Sequence, residues 1–109
     1  MSKWNINYHN LVKEDIKSLP VKLLARYYSL IDRMKERGPD LGLPHTKSLG
    51  SGLFEMRLKA EEGIARVVYC TMLNKQIWIL HSFVKKTQKI PSKELKIAHN
   101  RMKELYHEK

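Results

Sequence analysis

Four cations stand where strands seldom carry them. Arg57, Arg66, Lys85 and Lys86 lie within and just after apolar runs between Lys47 and Pro91. Side chains alternate along a strand, so Glu55, Arg57 and Lys59 share one face. Arg66 comes within reach of Arg57 or Lys59 if the chain reverses at Glu61-Glu62-Gly63. Two or three cations on a bare, solvent-facing strand surface repel one another, and a phosphate seated between them removes that cost. A plainer arrangement stays open, in which Glu55 pairs with Arg57 or Arg66 across the strands.

Lys85-Lys86-Thr87-Gln88-Lys89 follows an apolar strand directly; it suits phosphate contacts, or a solvated loop with ordinary charges. His81 interrupts the same strand. A lone strand histidine is more often structural, but one facing a concavity can move protons. His45 and Lys47 precede the sheet and can fold over its edge. Trp78 belongs to the core or stacks on a base. Cys70, in Val67-Val68-Tyr69-Cys70, reads as a small buried thiol. The histidines are scattered and show no metal-ligand spacing.

The chain has 109 residues and reads as one domain, residues 1–109. Hydrophobic content of 42% supports a modest core without disulfides. Lys and Arg number 21 against 11 Asp and Glu, a formal charge of +10. Such a field attracts polyanions, with nucleic acid the first partner class and an acidic protein the second. The cations are not gathered on one amphipathic helix, which argues against a membrane surface. No apolar run approaches the roughly 20 residues that span a bilayer, and the N-terminus is not signal-like. The expected location is the cytoplasm.

The elements that position these residues follow from periodicity. Trp4, Ile6 and Tyr8 alternate as a strand does. Leu11, Val12, Ile16 and Leu19 share one side of a short helix. Pro20 opens a longer helix, with Leu23, Leu24, Tyr27, Leu30, Ile31 and Met34 at helical spacing, closed by Gly38-Pro39. Residues 39–52 read as a loop. Strands follow over 53–59, 64–72 and 76–84, the last apolar on both faces and therefore central. Ser92 caps a final helix, with Glu94 in its first turn. The order is β-α-α-β-β-β-α. This predicts an α+β fold: a small, mostly antiparallel sheet of about four strands, two N-terminal helices on one face and a C-terminal helix. The other face is expected to be a concave polar working surface.

Three segments resemble a known family. Lys47-x-Leu49-Gly50-x-Gly52-Leu53-Phe54-Glu55-x-Arg57 is similar to a signature of the phage Gp49-like branch of HigB toxins. Arg66-Val67-Val68-Tyr69 resembles the next strand of that family, with Ala65 where an aromatic is usual. His81-Ser82-Phe83-x-Lys85-Lys86-Thr87-x-Lys89-x-Pro91 resembles the third segment, and Glu94, Ala98 and Arg101 the closing helix. HigB toxins belong to the RelE/ParE superfamily. The resemblance implies a toxin that cleaves mRNA in the ribosomal A site, contacts ribosomal RNA and needs no cofactor or metal. It implies neutralisation by a HigA-type helix-turn-helix antitoxin, with operator DNA met only through that antitoxin. Within it, Arg66 is the expected phosphate clamp, assisted by Arg57 and Lys47. Lys85, Lys86, Lys89 and Lys59 hold RNA. The proton-transfer group is His81, Glu55 or a lysine of lowered pKa, with His81 first. Tyr27, Tyr28 and Met34 on the long helix are the expected antitoxin contacts. A ParE-like gyrase inhibitor and a binding module that never cuts RNA remain alternatives.

Overall fold

The computed structural model describes residues 3–85 and 90–107. Its elements are β1 (Asn5–Tyr8), α1 (Lys13–Lys17), α2 (Val21–Arg37), β2 (Thr46–Gly50), β3 (Leu53–Ala60), β4 (Gly63–Met72), β5 (Gln76–Lys85) and α3 (Ser92–His107). They form an α+β fold around one five-stranded sheet in the order β1-β5-β4-β3-β2. The sheet is antiparallel except for β1, which runs parallel to β5. Sequence periodicity anticipates about four strands; the additional one is β2, inside the segment read as a loop. It is short and ends in a tight reversal where Gly50, Ser51 and Gly52 all have positive φ, so turn residues mask it. The doubly apolar β5 is interior, between β1 and β4, while β4 takes the middle position.

The helix α2 buries Leu23, Tyr27, Leu30, Ile31 and Met34 against Met56, Leu58, Val67 and Ile77, the stripe that its 3.6-residue period dictates. Its N-terminus is capped from the β3–β4 hairpin: Glu62 Oε1 accepts the Lys22 and Leu23 N–H groups at 2.8 and 3.2 Å. This contact fixes the helix against β3. Tyr27 and Met34 have no accessible surface, and the Tyr27 hydroxyl donates to Tyr8 at 2.8 Å. They are core residues and present nothing to a partner, which corrects their expected role as antitoxin contacts. Tyr28 alone of the three is exposed.

The second face of the sheet is not wholly free, as expected from the sequence, but divided. The helix α3 covers one half, packing Ala98 and Met102 on Leu53, Val68, Cys70 and Leu80, with Trp78 beside them. Trp78 is thus a core residue. Burial pushes the Cys70 thiol up to about 11, so it is the inert thiol its setting suggests. The other half, toward the β3–β4 hairpin, belongs to charged side chains.

A bulge decides which residues share that half. Between Val68 and Tyr69 the β4–β5 register shifts: Tyr69 faces Ile79, whereas Val68 faces His81. The extra residue, Leu80, reverses the parity of β5. Strict alternation from Trp78 would send Lys85 to the α2 side with Ile77 and Ile79. The bulge instead turns His81, Phe83 and Lys85 to the side of Arg57 and Arg66.

Candidate active site

Arg57 and Arg66 stand directly opposite one another on β3 and β4, the first of the two pairings, Arg57 or Lys59, that the hairpin alternation leaves open. Like charges in cross-strand register are unfavourable, and Glu55 compensates them both. Its Oε2 accepts from Arg57 Nη1 at 2.8 Å, and its Oε1 lies 3.4 Å from Arg66 Nε. The pairing left open by the sequence therefore forms with both arginines. The two halves differ in kind. The Arg57 contact is a hydrogen bond, whereas the Glu55 Oε1–Arg66 Nε approach is ionic in distance but lacks hydrogen-bond geometry. Among the described residues, neither of those two buried atoms has a hydrogen-bond partner. Arg66 Nη1 donates to the Ala65 carbonyl at 3.1 Å, leaving donors of the guanidinium for a ligand.

Arg66 is not solvent-facing, contrary to its sequence position near a strand start; it is 5% exposed. Burial, and then the neighbouring Arg57, lower its proton affinity, with Glu55 opposing both. Lys85 completes the cluster from β5. Its pKa also falls below the ordinary value, first through desolvation and then through Arg66, against the opposing pull of Glu55. Lys47 faces Glu55 across β2 and β3, and Lys59 extends the same face toward the hairpin. Lys86 and Lys89 lie outside the described residues.

His81 shares the face but does not line the open site. Its Nε2 lies 2.6 Å from Glu94 Oε1, and Arg101 Nη1 approaches Nδ1 at 3.4 Å. A guanidinium can only donate, so Nδ1 accepts and the proton sits on Nε2, donated to Glu94. Arg101 also donates to the Leu80 carbonyl at 2.8 Å. His81 is thereby part of the anchorage of α3. At the other end of that helix, His9 Nε2 meets Glu104 at 2.7 Å while its Nδ1 accepts the Leu11 N–H.

The cationic cluster opens into a groove of about 710 Å³ that runs round the edge of β3. Its walls carry Arg57, Lys59, Arg66 and Lys85 from the sheet, and Arg26 and Arg33 from α2, with His45 and Pro44 at one end. Among the described residues, no carboxylate lines it. The α2 arginines escape sequence reading. They follow a helical i, i+7 spacing, but periodicity cannot say which strand edge a helix overlooks. Among the described residues, no group of three or more His, Cys, Asp or Glu side chains has the geometry to hold a metal, and no helix is long and apolar enough to cross a membrane.

This architecture is shared with solved structures. The YoeB dimer of Staphylococcus aureus is 22% identical, covering 78% of this chain and 98% of that one, with a TM-score of 0.58. The toxin–antitoxin complex RelBE2 of Mycobacterium tuberculosis contains a chain 17% identical, covering 76% and 99%, with a TM-score of 0.57. The archaeal RelE–RelB complex of Pyrococcus horikoshii OT3 contains one 23% identical, covering 77% and 96%, with a TM-score of 0.53. The fold is therefore that of RelE- and YoeB-type proteins. Residues 14–103 match the phage-derived Gp49-like protein family, and the chain belongs to it. No curated protein matches the sequence.

Proposed function

We propose that this chain is the toxin of a type II toxin–antitoxin pair, a HigB-like endoribonuclease that cuts mRNA in the ribosomal A site. The observation that carries the reading is the opposed Arg57–Arg66 pair beside Lys85, in a groove lined by no carboxylate among the described residues. Family membership and the RelE-like fold support it.

The chemistry requires no bound cofactor. The RNA 2′-hydroxyl attacks the adjacent phosphorus, giving a 2′,3′-cyclic phosphate and releasing the 5′-oxygen of the next nucleotide. Arg66 and Arg57 hold the phosphate and stabilise the charge that accumulates on it, with Lys47 at the margin; pre-positioned cations in a partly dry site are well suited to this. Lys85, whose charged form is disfavoured where it stands, takes the 2′-hydroxyl proton. His81, bonded through both ring nitrogens, serves better as support for α3 than as base. Glu55 orients the arginines. The open groove lets water supply the proton for the leaving oxygen. Lys59, Lys86 and Lys89 contact messenger or ribosomal RNA backbone. The ribosome supplies the substrate geometry that this small site does not impose alone. The partner is a HigA-type antitoxin that meets operator DNA and docks on the α2 side, where Tyr28 is the exposed aromatic.

Adding the purified chain to ribosomes translating a defined message tests the reading. Cuts should appear within the A-site codon, with cyclic phosphate at the upstream end and a free 5′-hydroxyl downstream. Translation that stops while the message stays intact would overturn it.

A further inference from the structure

The groove has a wall that cleavage at Arg66 does not use. Arg26, Ser29 and Arg33 lie at i, i+3 and i+7 on α2, flanking its buried stripe, and line the groove where it passes to the α2 side of the sheet. Spacing of this kind places three side chains in a row along one helix face. Arg33 is oriented: its Nη1 donates to His45 Nε2 at 3.3 Å. Among the described residues, neither Arg26 nor Arg33 is paired with a carboxylate. Between this wall and Arg66 runs an open strand edge. The last residues of β2 and β3 in register are Thr46 and Met56, and the Arg57 N–H then donates to His45 at 2.8 Å. By antiparallel alternation the Lys59 N–H points to the same edge, beyond the end of β2. A backbone donor at the edge thus lies between two rows of cations, one on each side of the sheet, joined by the groove round the edge of β3.

We propose that Arg26 and Arg33 form a second phosphate-binding subsite, which holds the sugar–phosphate backbone of single-stranded RNA next to the phosphate gripped by Arg66. The inference rests on the reading of Arg66 as the clamp for the reacting phosphate. Three features favour an RNA strand over an acidic peptide. Both walls present guanidinium forks, which match phosphate oxygens in two-point contacts. The groove is continuous from one wall to the other, as a strand with evenly repeated charges requires. Its volume falls within the range of about 300–1,000 Å³ that encloses a drug-sized ligand, so more than one nucleotide can enter. The subsite would fix the path of the strand as well as its affinity.

The test uses fluorescent 2′-O-methyl oligouridines of increasing length, which cannot be cut, titrated against the full chain over a range of salt. For the wild type, affinity should rise as phosphates are added beyond the first. Arg26→Ala/Arg33→Ala should abolish that rise and lower the log–log salt slope by about 1.4, at about 0.7 per lost single-strand contact. Arg26→Lys/Arg33→Lys should restore most of the slope, which a merely structural defect would not allow. Unchanged length dependence and slope in the alanine variant, with native circular dichroism, would overturn the subsite. So would a loss of oligoglutamate binding with oligouridine binding intact, which would assign the groove to an acidic peptide. Cleavage of ribosome-bound message by the wild type is scored separately. Its absence would sink the nuclease reading, while the oligouridine series would still decide the subsite.

Discussion

Arg66 answers to folding and, on the proposed reading, to a phosphate as well. Its side chain and that of Glu55 are almost fully buried, so its loss leaves a buried carboxylate with Arg57 as its remaining ionic partner. A buried ion pair broken outright costs about 3–5 kcal/mol. The retained Arg57 hydrogen bond and the poor Arg66 geometry bring the expected cost of Arg66→Ala nearer about 1–3 kcal/mol. Urea unfolding should show this loss, and cleavage should disappear at a denaturant-free temperature where the variant is still folded. Full cleavage by a folded Arg66→Ala would remove the arginine from the mechanism. Lys85 makes a different demand. Its lowered pKa means that the unfolded chain holds this proton to higher pH than the folded one. The penalty it places on folding is therefore present below the folded value and is lifted as pH rises toward the ordinary 10.5. The cleavage rate should climb with pH across the same window as the free amine appears. Lys85→Arg keeps the charge but has no accessible neutral form. It should lower single-turnover cleavage by about 10²–10⁴-fold and flatten the pH profile, with RNA affinity retained. A pH profile identical to wild type would assign the base elsewhere. The approach of Arg66 to Arg57 or Lys59 is legible in the sequence, because alternation and a hairpin turn put all three on one face; that the partner is Arg57 is settled by the register. The burial of Arg66 is not legible, since it depends on how closely Glu55 approaches from the neighbouring strand.

At the scale of elements, the groove exists because α2 is pinned to the hairpin that carries Arg57 and Arg66. Two neighbouring acids meet α2 and should differ sharply. Glu62 accepts two backbone N–H groups of the first turn, whereas Glu61 pairs with Lys22 Nζ at 2.6 Å with both side chains largely exposed. Loss of a helix N-cap costs about 0.5–2 kcal/mol, and an exposed ion pair gives about 0–1 kcal/mol. Glu62→Ala should therefore shift the urea midpoint clearly, and Glu61→Ala should hardly move it. Equal shifts would mean that the charge of the hairpin, not the cap, holds the helix. The helices and the three long strands are readable from period alone. Two features are not. The strand β2 hides among turn residues, and the bulge opposite Val68 and Tyr69 cannot be inferred from an apolar run such as Ile77 to Leu80. That bulge places Lys85 in the site, so the largest error available to simple alternation concerns the proposed base itself. The covering of half the second face by α3 is similarly unreadable. Its apolar positions announce a buried side without naming the surface it meets.

For the whole molecule, a formal charge of +10 spread over 109 residues produces a field that extends beyond any one contact. The cations then divide by task. On the proposed reading, those in the groove touch phosphate and govern how long a complex lasts, while those elsewhere act at a distance and govern how often partners meet. Screening separates the two, because the Debye length is about 10 Å at 0.1 M salt. Lys17 on α1 and Lys103 on α3 are exposed and do not line the groove. Lys17→Gln/Lys103→Gln should slow association with ribosomes at low salt, and the difference from wild type should vanish as salt rises. Dissociation should stay within about twofold of wild type, since mutations at distant charges act mainly on the on-rate. Arg26→Ala/Arg33→Ala should do the reverse, speeding dissociation at every salt concentration. Stopped-flow measurement of both rate constants for the two double variants decides between a patterned molecule and a uniformly basic one. If the four rates shift alike, the groove has no special hold on the RNA, and the net charge alone accounts for binding.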